Sequence, residues 1–463
     1  MRRFLVVLIL SLGAVGAASA QNVPAKASDI DGAWMGTLDA GTAKLRVVFH
    51  FVNTADGLTA TMDSLDQDMK GLPVTKVTRN GSSLKLELKQ IPGVGVFEGT
   101  IDKDRESISG TWSQSGNSLP LQLKRVKDSA EMERPRPQNP TKPYPYREEE
   151  VSFENSGAGI KLAGTLTIPP GKDPFPGVVL VAGSGAHDRD EALMGHRPFL
   201  VLSDYLTRRG IAVLRYDKRG VGESEGTYAT ATTSDFADDA EAGLAYLERR
   251  GEIDQRKIGL IGHSEGGMIA PLLAARNSSV AFIVMMAGPG IPGDELLVEQ
   301  TLLIAEANGQ THETAEKAAG EERIILSLVK DETDSAVLEK KLREQLTGQV
   351  PEAQIGAAIK STSSPWFRYF ISYDPAAALR RVKCPVLAVI GSKDLQVPPE
   401  QNIPAIRKAL EDAGNQKFEI DELPGLNHLF QTAKTGSPAE YAQIEETISP
   451  AALEKIAAWV AKQ

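Results

Sequence analysis

The motif Gly-His-Ser-Glu-Gly at positions 262–266 combines the residue types and the spacing that can turn a serine into a nucleophile. It directly follows the apolar run 258–261, which predicts a strand, and directly precedes a predicted helix. A sharp turn between such a strand and helix, called a nucleophile elbow, lifts the serine hydroxyl above the sheet. Gly262 and Gly266 suit this turn, because side chains there would collide with the neighbouring strand and helix. We therefore predict Ser264 as the nucleophile.

A serine hydroxyl is a poor nucleophile unless a general base, normally a histidine, removes its proton. In architectures with a nucleophile elbow, the acid and then the histidine follow the serine along the chain. His428, in a loop after the last predicted strand, meets this condition. The other five histidines lie before the serine, inside the motif or in a helical insertion, namely His50, His187, His196, His263 and His312. Elimination therefore selects His428 as the base.

A carboxylate must hold that histidine in the correct tautomer. Asp394 comes just after the apolar run 386–390, so it should lie at the carboxyl edge of the sheet, beside the elbow. Asp421 and Asp374 compete for the role. Asp421 lies close before His428 and is expected to cap that loop, whereas Asp374 precedes a proline, which is typical of a helix start. We predict Asp394 as the third member of the triad.

An acyl-transfer site also needs two N–H groups that stabilise the developing oxyanion. The first is expected from the backbone of Glu265, the residue after the nucleophile. The second is expected from the glycine-rich loop after the strand 178–181, where Ser184 and Gly185 are equal candidates. Residues 187–190 could shape the pocket or form a charge network that holds this loop, and we favour the network.

The elements that must position these residues begin near residue 149, where apolar strands start to alternate with helices. Such alternation predicts a parallel α/β sheet. The predicted strands, after a first pair at 151–153 and 162–168, are 178–181, 211–215, 258–261, 282–285, 386–390 and 417–421. The predicted helices between and after them are 199–209, 235–250, 268–275, 403–413 and 450–461.

Residues 292–380 interrupt this alternation with a segment rich in Ala, Glu, Lys and Leu. An insertion between two parallel strands lies at the carboxyl edge, where ligands bind, so we predict a helical cap over the site. The alternative is a solvated helical hairpin away from the site. Four aromatic residues near its end could wall an acyl pocket or equally pack the cap onto the core: Trp366, Phe367, Tyr369 and Phe370.

Residues 29–126 predict a small all-β domain, a barrel or a sandwich, since short alternating strands recur at regular spacing. Asn80-Gly81 is a strong hairpin-turn signal. Trp34 and Trp112 are expected to be core aromatics. Residues 127–148, which contain five prolines between 135 and 145, predict a stiff linker to the catalytic domain at 149–463.

The length of 463 residues favours two or three domains, and the composition is that of an ordinary soluble protein. The net charge of −10 without a basic stripe argues against nucleic-acid partners, and the single cysteine excludes an intrachain disulfide or a multi-cysteine metal site. Residues 1–20 have the basic start, apolar run and Ala-Ser-Ala site of a signal peptide. We therefore expect an exported protein, periplasmic or secreted, with no stable membrane span after signal removal.

These motifs resemble the α/β-hydrolase superfamily from residue 149 to the C-terminus. The loop 217–224 is similar to the superfamily pattern D-x-R-G-x-G-x-S. Together with the elbow, the Gly-Ser-Gly at 183–185 and the Asp-Arg-Asp at 188–190 are similar to bacterial two-domain carboxylesterases of the EstD type. The resemblance implies the triad Ser264, Asp394 and His428 and the hydrolysis of carboxylic esters, although no motif of the β domain matches the family.

We expect a small-molecule ester or acyl substrate, an acyl-enzyme intermediate and no metal or organic cofactor. A serine peptidase, an amidase or a thioesterase would use the same triad. A peptidase would need cap carboxylates to bind a free amine, and Glu313, Glu321 and Glu322 are the candidates. An alternative from a different functional class is a ligand-binding or targeting protein, in which the β domain carries the main function. Nothing in the sequence indicates the oligomeric state.

Overall fold

A computed structural model describes residues 29–39, 44–55, 57–67, 69–91, 93–132, 134–350 and 352–463. The predicted signal peptide at 1–20 lies outside the described residues. The described chain divides into two compact units, of which the first contains the residues up to Pro135 together with Leu193–Gly195, and the second contains Arg136–Ala192 and His196–Gln463. No helix within these ranges combines the length and the apolar character that crossing a bilayer requires.

The first unit is one antiparallel sheet of nine strands that curls into a half-barrel, which confirms the small all-β domain. Its strand order is β4-β3-β2-β1-β9-β8-β7-β6-β5. It is a single curled sheet, and not a two-layer sandwich. The strands are β1 Gly32–Asp39, β2 Lys44–Thr54, β3 Gly57–Ser64, β4 Met69–Pro73, β5 Lys76–Asn80, β6 Ser83–Leu88, β7 Gly95–Ile101, β8 Ser107–Gln114 and β9 Asn117–Arg125.

Alternate residues of these strands form the core of the first unit, as the period of two in a strand requires. The rings of Phe49 and Phe97 stack with centroids 6.1 Å apart. Trp34 is fully buried and its indole N–H donates to the Ile30 carbonyl at 2.9 Å. Trp112 is also buried, so both tryptophans are core residues, as predicted.

The second unit contains an eight-stranded sheet in the order β10-β11-β13-β12-β14-β15-β16-β17. β10 and β11 are antiparallel and the strands from β13 onward are parallel, which confirms the predicted α/β-hydrolase fold. The strands are β10 Arg147–Asn155, β11 Ile160–Ile168, β12 Phe175–Val181, β13 Ala212–Tyr216, β14 Ile253–His263, β15 Phe282–Met286, β16 Val386–Gly391 and β17 Phe418–Leu423.

Helices cover both faces of this sheet. Val178 and Leu180 of β12 pack into one apolar cluster, and Val179 and Val181 pack into the other, because successive side chains point to opposite faces. The helices outside the cap are α1 Pro198–Thr207, α2 Thr233–Glu248, α3 Glu265–Ala274, α10 Pro399–Asp412 and α11 Pro450–Val460. Burial on both faces explains why these strands are continuous apolar runs.

The predicted cap is confirmed as a run of six helices between β15 and β16. Its members are α4 Gly293–Ala307, α5 His312–Asp331, α6 Ser335–Leu346, α7 Glu352–Thr362, α8 Pro365–Ser372 and α9 Pro375–Leu379. The insertion follows β15 at its carboxyl end, on the same edge of the sheet as the turn after β14.

The segment predicted as a linker, 127–148, is divided between the two units, and the second unit begins at Arg136 within it. Within the second unit, the Arg136 guanidinium donates to the carbonyls of Ala442 and Ile444 at 3.0 and 2.6 Å. The Gln138 amide donates to the Ile448 carbonyl at 2.6 Å. These bonds tie residues 136–138 to the chain just before α11.

Candidate active site

Ser264 occupies the turn between β14 and α3 with φ 53° and ψ −115°. This backbone region is strained for a residue with a Cβ, by about 1–3 kcal/mol, and persists only where the surroundings hold it. The Ser264 N–H donates to the Met286 carbonyl of the adjacent strand at 2.8 Å. The side chain is partly exposed, at the amino end of α3, whose dipole favours negative charge there.

Small residues on both sides make this turn possible. A Cβ on Gly262 would lie 1.9 Å from the Gly266 carbonyl oxygen, and a Cβ on Gly266 would lie 1.9 Å from the Val181 carbonyl oxygen. Backbone atoms cannot yield to such contacts. The structure therefore gives the two glycines the steric role that the motif predicts.

His428 and Asp394 form a buried hydrogen-bonded pair. Nδ1 of His428 lies 2.9 and 3.1 Å from the two carboxylate oxygens of Asp394, and the residues are 4% and 1% exposed. Asp394 Oδ1 also accepts the N–H groups of Gln396 and Val397 at 2.9 and 2.8 Å. Because Nδ1 faces the carboxylate, Nε2 is the ring nitrogen that can accept a proton.

The two competing aspartates are engaged elsewhere. Asp421 forms an ion pair with Lys455. Asp374 caps α9, accepting the Ala376 N–H at 3.0 Å. Only Asp394 of the three contacts His428 among the described residues.

The loop that carries His428 is held by its neighbour Asn427. The Asn427 side-chain oxygen accepts the N–H groups of Leu429 and Gln431 at 3.1 and 2.9 Å. Its amide donates to the Gln431 side chain at 2.9 Å, and both side chains are fully buried. These bonds restrain the backbone on which the imidazole is mounted.

The glycine-rich loop after β12 lies directly against the nucleophile. A Cβ on Gly183 would lie 3.2 Å from the Ser264 Cβ. Neither the Ser184 N–H nor the Glu265 N–H has a hydrogen-bond partner within the described residues. Because Ser184 directly follows the glycine that lies against the nucleophile, this arrangement favours Ser184 over Gly185 as the second donor.

A charge network follows this loop, as expected for residues 187–190. Arg189 pairs with Asp217 at 2.7 Å, and Asp190 pairs with the buried Arg215. The His187 ring is buried and hydrogen-bonds the Ser184 carbonyl at 2.8 Å. Burial lowers the pKa of His187, which favours the neutral ring as the donor of this bond.

His263, the second residue of the motif, contacts both sides of the site. Its Nδ1 lies 3.0 Å from Glu191 Oε1 and its Nε2 lies 3.0 Å from the His428 carbonyl. Both partners only accept hydrogen bonds, so both ring nitrogens must donate, and the ring is an imidazolium. Glu191 Oε1 also accepts the Gly183 N–H at 2.6 Å. No sequence pattern singled out Glu191, although His263 lay within the motif.

The titration of this buried pair follows from its charges. Burial opposes the charged ring, but the Glu191 carboxylate outweighs burial and raises the pKa of His263. Burial likewise opposes the carboxylate, but His263 outweighs it and lowers the pKa of Glu191. The pair therefore contributes stability above the ordinary glutamate pKa, and this contribution is lost as pH rises through the raised His263 pKa.

Glu191→Gln is expected to lower the free energy of unfolding by about 3 kcal/mol near pH 6, because it leaves a buried imidazolium without its partner. The difference from wild type should shrink as pH rises through the raised pKa of His263, because the wild-type ring then becomes neutral as well. Urea unfolding of both proteins across this range measures it. A difference that stays constant with pH would contradict the ion pair.

Two of the four cap aromatics have the predicted packing role, and the acyl-pocket role stays a prediction. Phe367 and Phe370 are buried in the core cluster of the second unit, which is the packing role. Tyr369 is half-buried and stacks on Tyr373 with ring centroids 5.6 Å apart. Trp366 reaches the elbow, where its indole N–H donates to Glu265 Oε1 at 2.7 Å.

A family model described as serine aminopeptidase, S33, matches residues 197–432, just over half of the chain. The match includes the elbow, the whole cap, Asp394 and His428.

The chain is similar to several proteins that are described as esterases. The chain is 26% identical to esterase EstD of Thermotoga maritima over 431 residues, which cover 89% of this chain and 94% of that one. It is 29% identical to esterase FrsA of an Enterobacter species over 145 residues, which cover 31% and 32% of the two chains. A solved Pyrococcus furiosus esterase aligns with 69% of this chain and 90% of its own, at 18% identity and a TM-score of 0.41.

Proposed function

We propose that this chain, which belongs to the serine aminopeptidase, S33, family of α/β-hydrolases, hydrolyses carboxylic esters through Ser264, His428 and Asp394. The observation that carries the proposal is the buried Asp394–His428 pair on the same sheet edge as the strained Ser264 turn. Similarity to an esterase over 89% of the chain supports ester substrates.

In the proposed reaction His428 Nε2 takes the Ser264 hydroxyl proton as Oγ bonds to the acyl carbon. The oxyanion accepts hydrogen bonds from the N–H groups of Glu265 and Ser184. The intermediate collapses, the bond to the alcohol oxygen breaks, and the alcohol leaves with the proton from His428. Water then loses a proton to His428 and attacks the acyl-serine, which releases the carboxylic acid and restores Ser264.

Amide hydrolysis with recognition of a free amine is a second candidate, because one cap carboxylate suits an amine. Glu322 is half-buried on the inward stripe of α5, between the buried residues Ala319 and Ile325. No cation contacts it within the described residues, and burial raises the pKa of its carboxyl to about 7. Glu313 is exposed, and Glu321 lies 3.6 Å from Lys317, so neither fits as well.

A substrate panel separates these candidates. Wild type and Ser264→Ala are assayed on p-nitrophenyl esters with acyl chains of about two to twelve carbons, on matching thioesters, and on aminoacyl p-nitroanilides. We expect Ser264-dependent turnover of esters at the highest kcat/KM. Faster anilide hydrolysis that falls in Glu322→Gln would favour the amidase, and inactivity on every ester would contradict the proposal.

A further inference from the structure

Lys218 is a buried cation next to the proposed oxyanion site. It follows β13, and its side chain is 4% exposed. Its Nζ donates to the Gly183 carbonyl at 2.5 Å and to Glu265 Oε2 at 3.1 Å. The ammonium also lies 4.3 Å from the centroid of the Phe236 ring. The lysine therefore contacts both segments from which the oxyanion donors come.

The bond to Gly183 determines the direction of one donor. In a trans peptide the carbonyl and the following N–H point in opposite directions, because the unit is planar. When the Gly183 carbonyl points toward Lys218, the Ser184 N–H must point away from it. The Gly183 N–H is held as well, by Glu191 at 2.6 Å. The peptide that presents the Ser184 N–H thus cannot rotate freely.

The bond to Glu265 involves the other donor residue. The Glu265 side chain is fully buried, while its backbone N–H is the first of helix α3 and follows Ser264. Its Oε1 accepts bonds from the Thr233 hydroxyl and the Trp366 indole, both at 2.7 Å. Both carboxylate oxygens are therefore satisfied, and the residue is joined to α2, to the cap and to Lys218. A fully satisfied buried network of this kind is rigid.

We propose that Lys218 and the Glu265 side chain are positioning residues, which together hold the Ser184 and Glu265 N–H groups at the spacing an oxyanion needs. The inference rests on the proposed acyl-transfer function. The ion pair touches neither the substrate nor the reacting atoms. It acts through the Gly183 peptide and the start of α3, and Trp366 links it to the cap.

The simpler alternative is that this buried ion pair only stabilises the fold. Two variants separate this alternative from the positioning role. Lys218→Met leaves Glu265 unpaired and should lower both the melting temperature and kcat. Lys218→Met/Glu265→Gln removes both charges, which typically restores stability. We expect the double variant to recover most of the melting temperature but to keep a kcat loss of about 10²-fold, with KM changed less than about threefold.

A trifluoromethyl ketone tests the oxyanion site directly. Ser264 Oγ adds to its carbonyl carbon, the hydroxyl proton passes to His428, and the hemiketal oxygen carries negative charge. We expect Ki to rise about 10²-fold in the double variant, and the ¹⁹F-detected pKa of the hemiketal to rise as well. A purely structural role would not move that pKa in the folded protein.

Arg219 offers a matched control. Arg219 directly follows Lys218 in the chain, and its buried guanidinium pairs with Asp239 of α2 at 2.7 Å, away from Gly183. Arg219→Met should lower the melting temperature and leave kcat and Ki within about threefold of wild type. The proposal is overturned if the double variant regains the wild-type kcat and Ki. It is also overturned if Arg219→Met raises the Ki of the ketone as much as the double variant does. A wild type that binds the ketone but turns over no ester overturns the ester assignment alone.

Discussion

Ser264→Ala is expected to lower kcat on the best p-nitrophenyl ester by roughly 10⁴-fold or more, with little change in folding. The variant removes the only protein atom that forms a covalent bond to the acyl group in the proposed mechanism. Stability should not fall, because the hydroxyl has no hydrogen-bond partner within the described residues and alanine suits the partly exposed site. Active-site-titrated kinetics and a thermal melt measure the two quantities.

The companion variant His428→Ala tests whether the residues act as one unit. Members of a triad are strongly non-additive, so Ser264→Ala/His428→Ala should be no slower than the slower single variant. A double variant that loses the product of the two single effects would show independent roles. Equal activity in wild type and Ser264→Ala would exclude Ser264 as the nucleophile.

Gly266→Ala is expected to lower the free energy of unfolding by more than about 4 kcal/mol and to abolish activity, an exceptional effect for one methyl group. The added Cβ would lie 1.9 Å from the Val181 carbonyl oxygen. Relief requires moving either α3 or β12, and both carry backbone of the proposed site. Urea unfolding and the yield of soluble protein measure the effect.

Gly320→Ala is the matched control, since the same methyl group meets no atom within 4 Å there. Gly320 lies inside the cap helix α5, where alanine is favoured over glycine by about 1 kcal/mol. This variant should be neutral or slightly stabilising and fully active. If Gly266→Ala behaves like Gly320→Ala, the steric account of the elbow is wrong.

The fold was largely predictable because its signals are local. Apolar runs alternating with helical segments predicted the parallel sheet, and the strand-less stretch 292–380 predicted the cap. The curvature of the β unit was not predictable, because a barrel, a half-barrel and a sandwich share the same alternation within each strand. Anchoring of residues 136–138 depends on carbonyls about 300 residues later, which no local pattern reveals.

The sequence by itself determined which elements form and in what order, and therefore which residues come to the carboxyl edge of the sheet. That order was enough to name Ser264, Asp394 and His428 as candidates, because a strand end followed by a loop positions its residues through local geometry alone.

Only the tertiary structure decided the partners of the buried charges. Glu191, Lys218 and Glu265 are three of the many glutamates and lysines in the chain. No spacing pattern distinguishes Glu191 or Lys218 from the others. What distinguishes them is burial, which makes an unpaired charge costly and so requires a partner from a distant segment. Those pairings exist only once the chain has packed, and they engage the N–H and carbonyl of Gly183 and the carboxylate of Glu265.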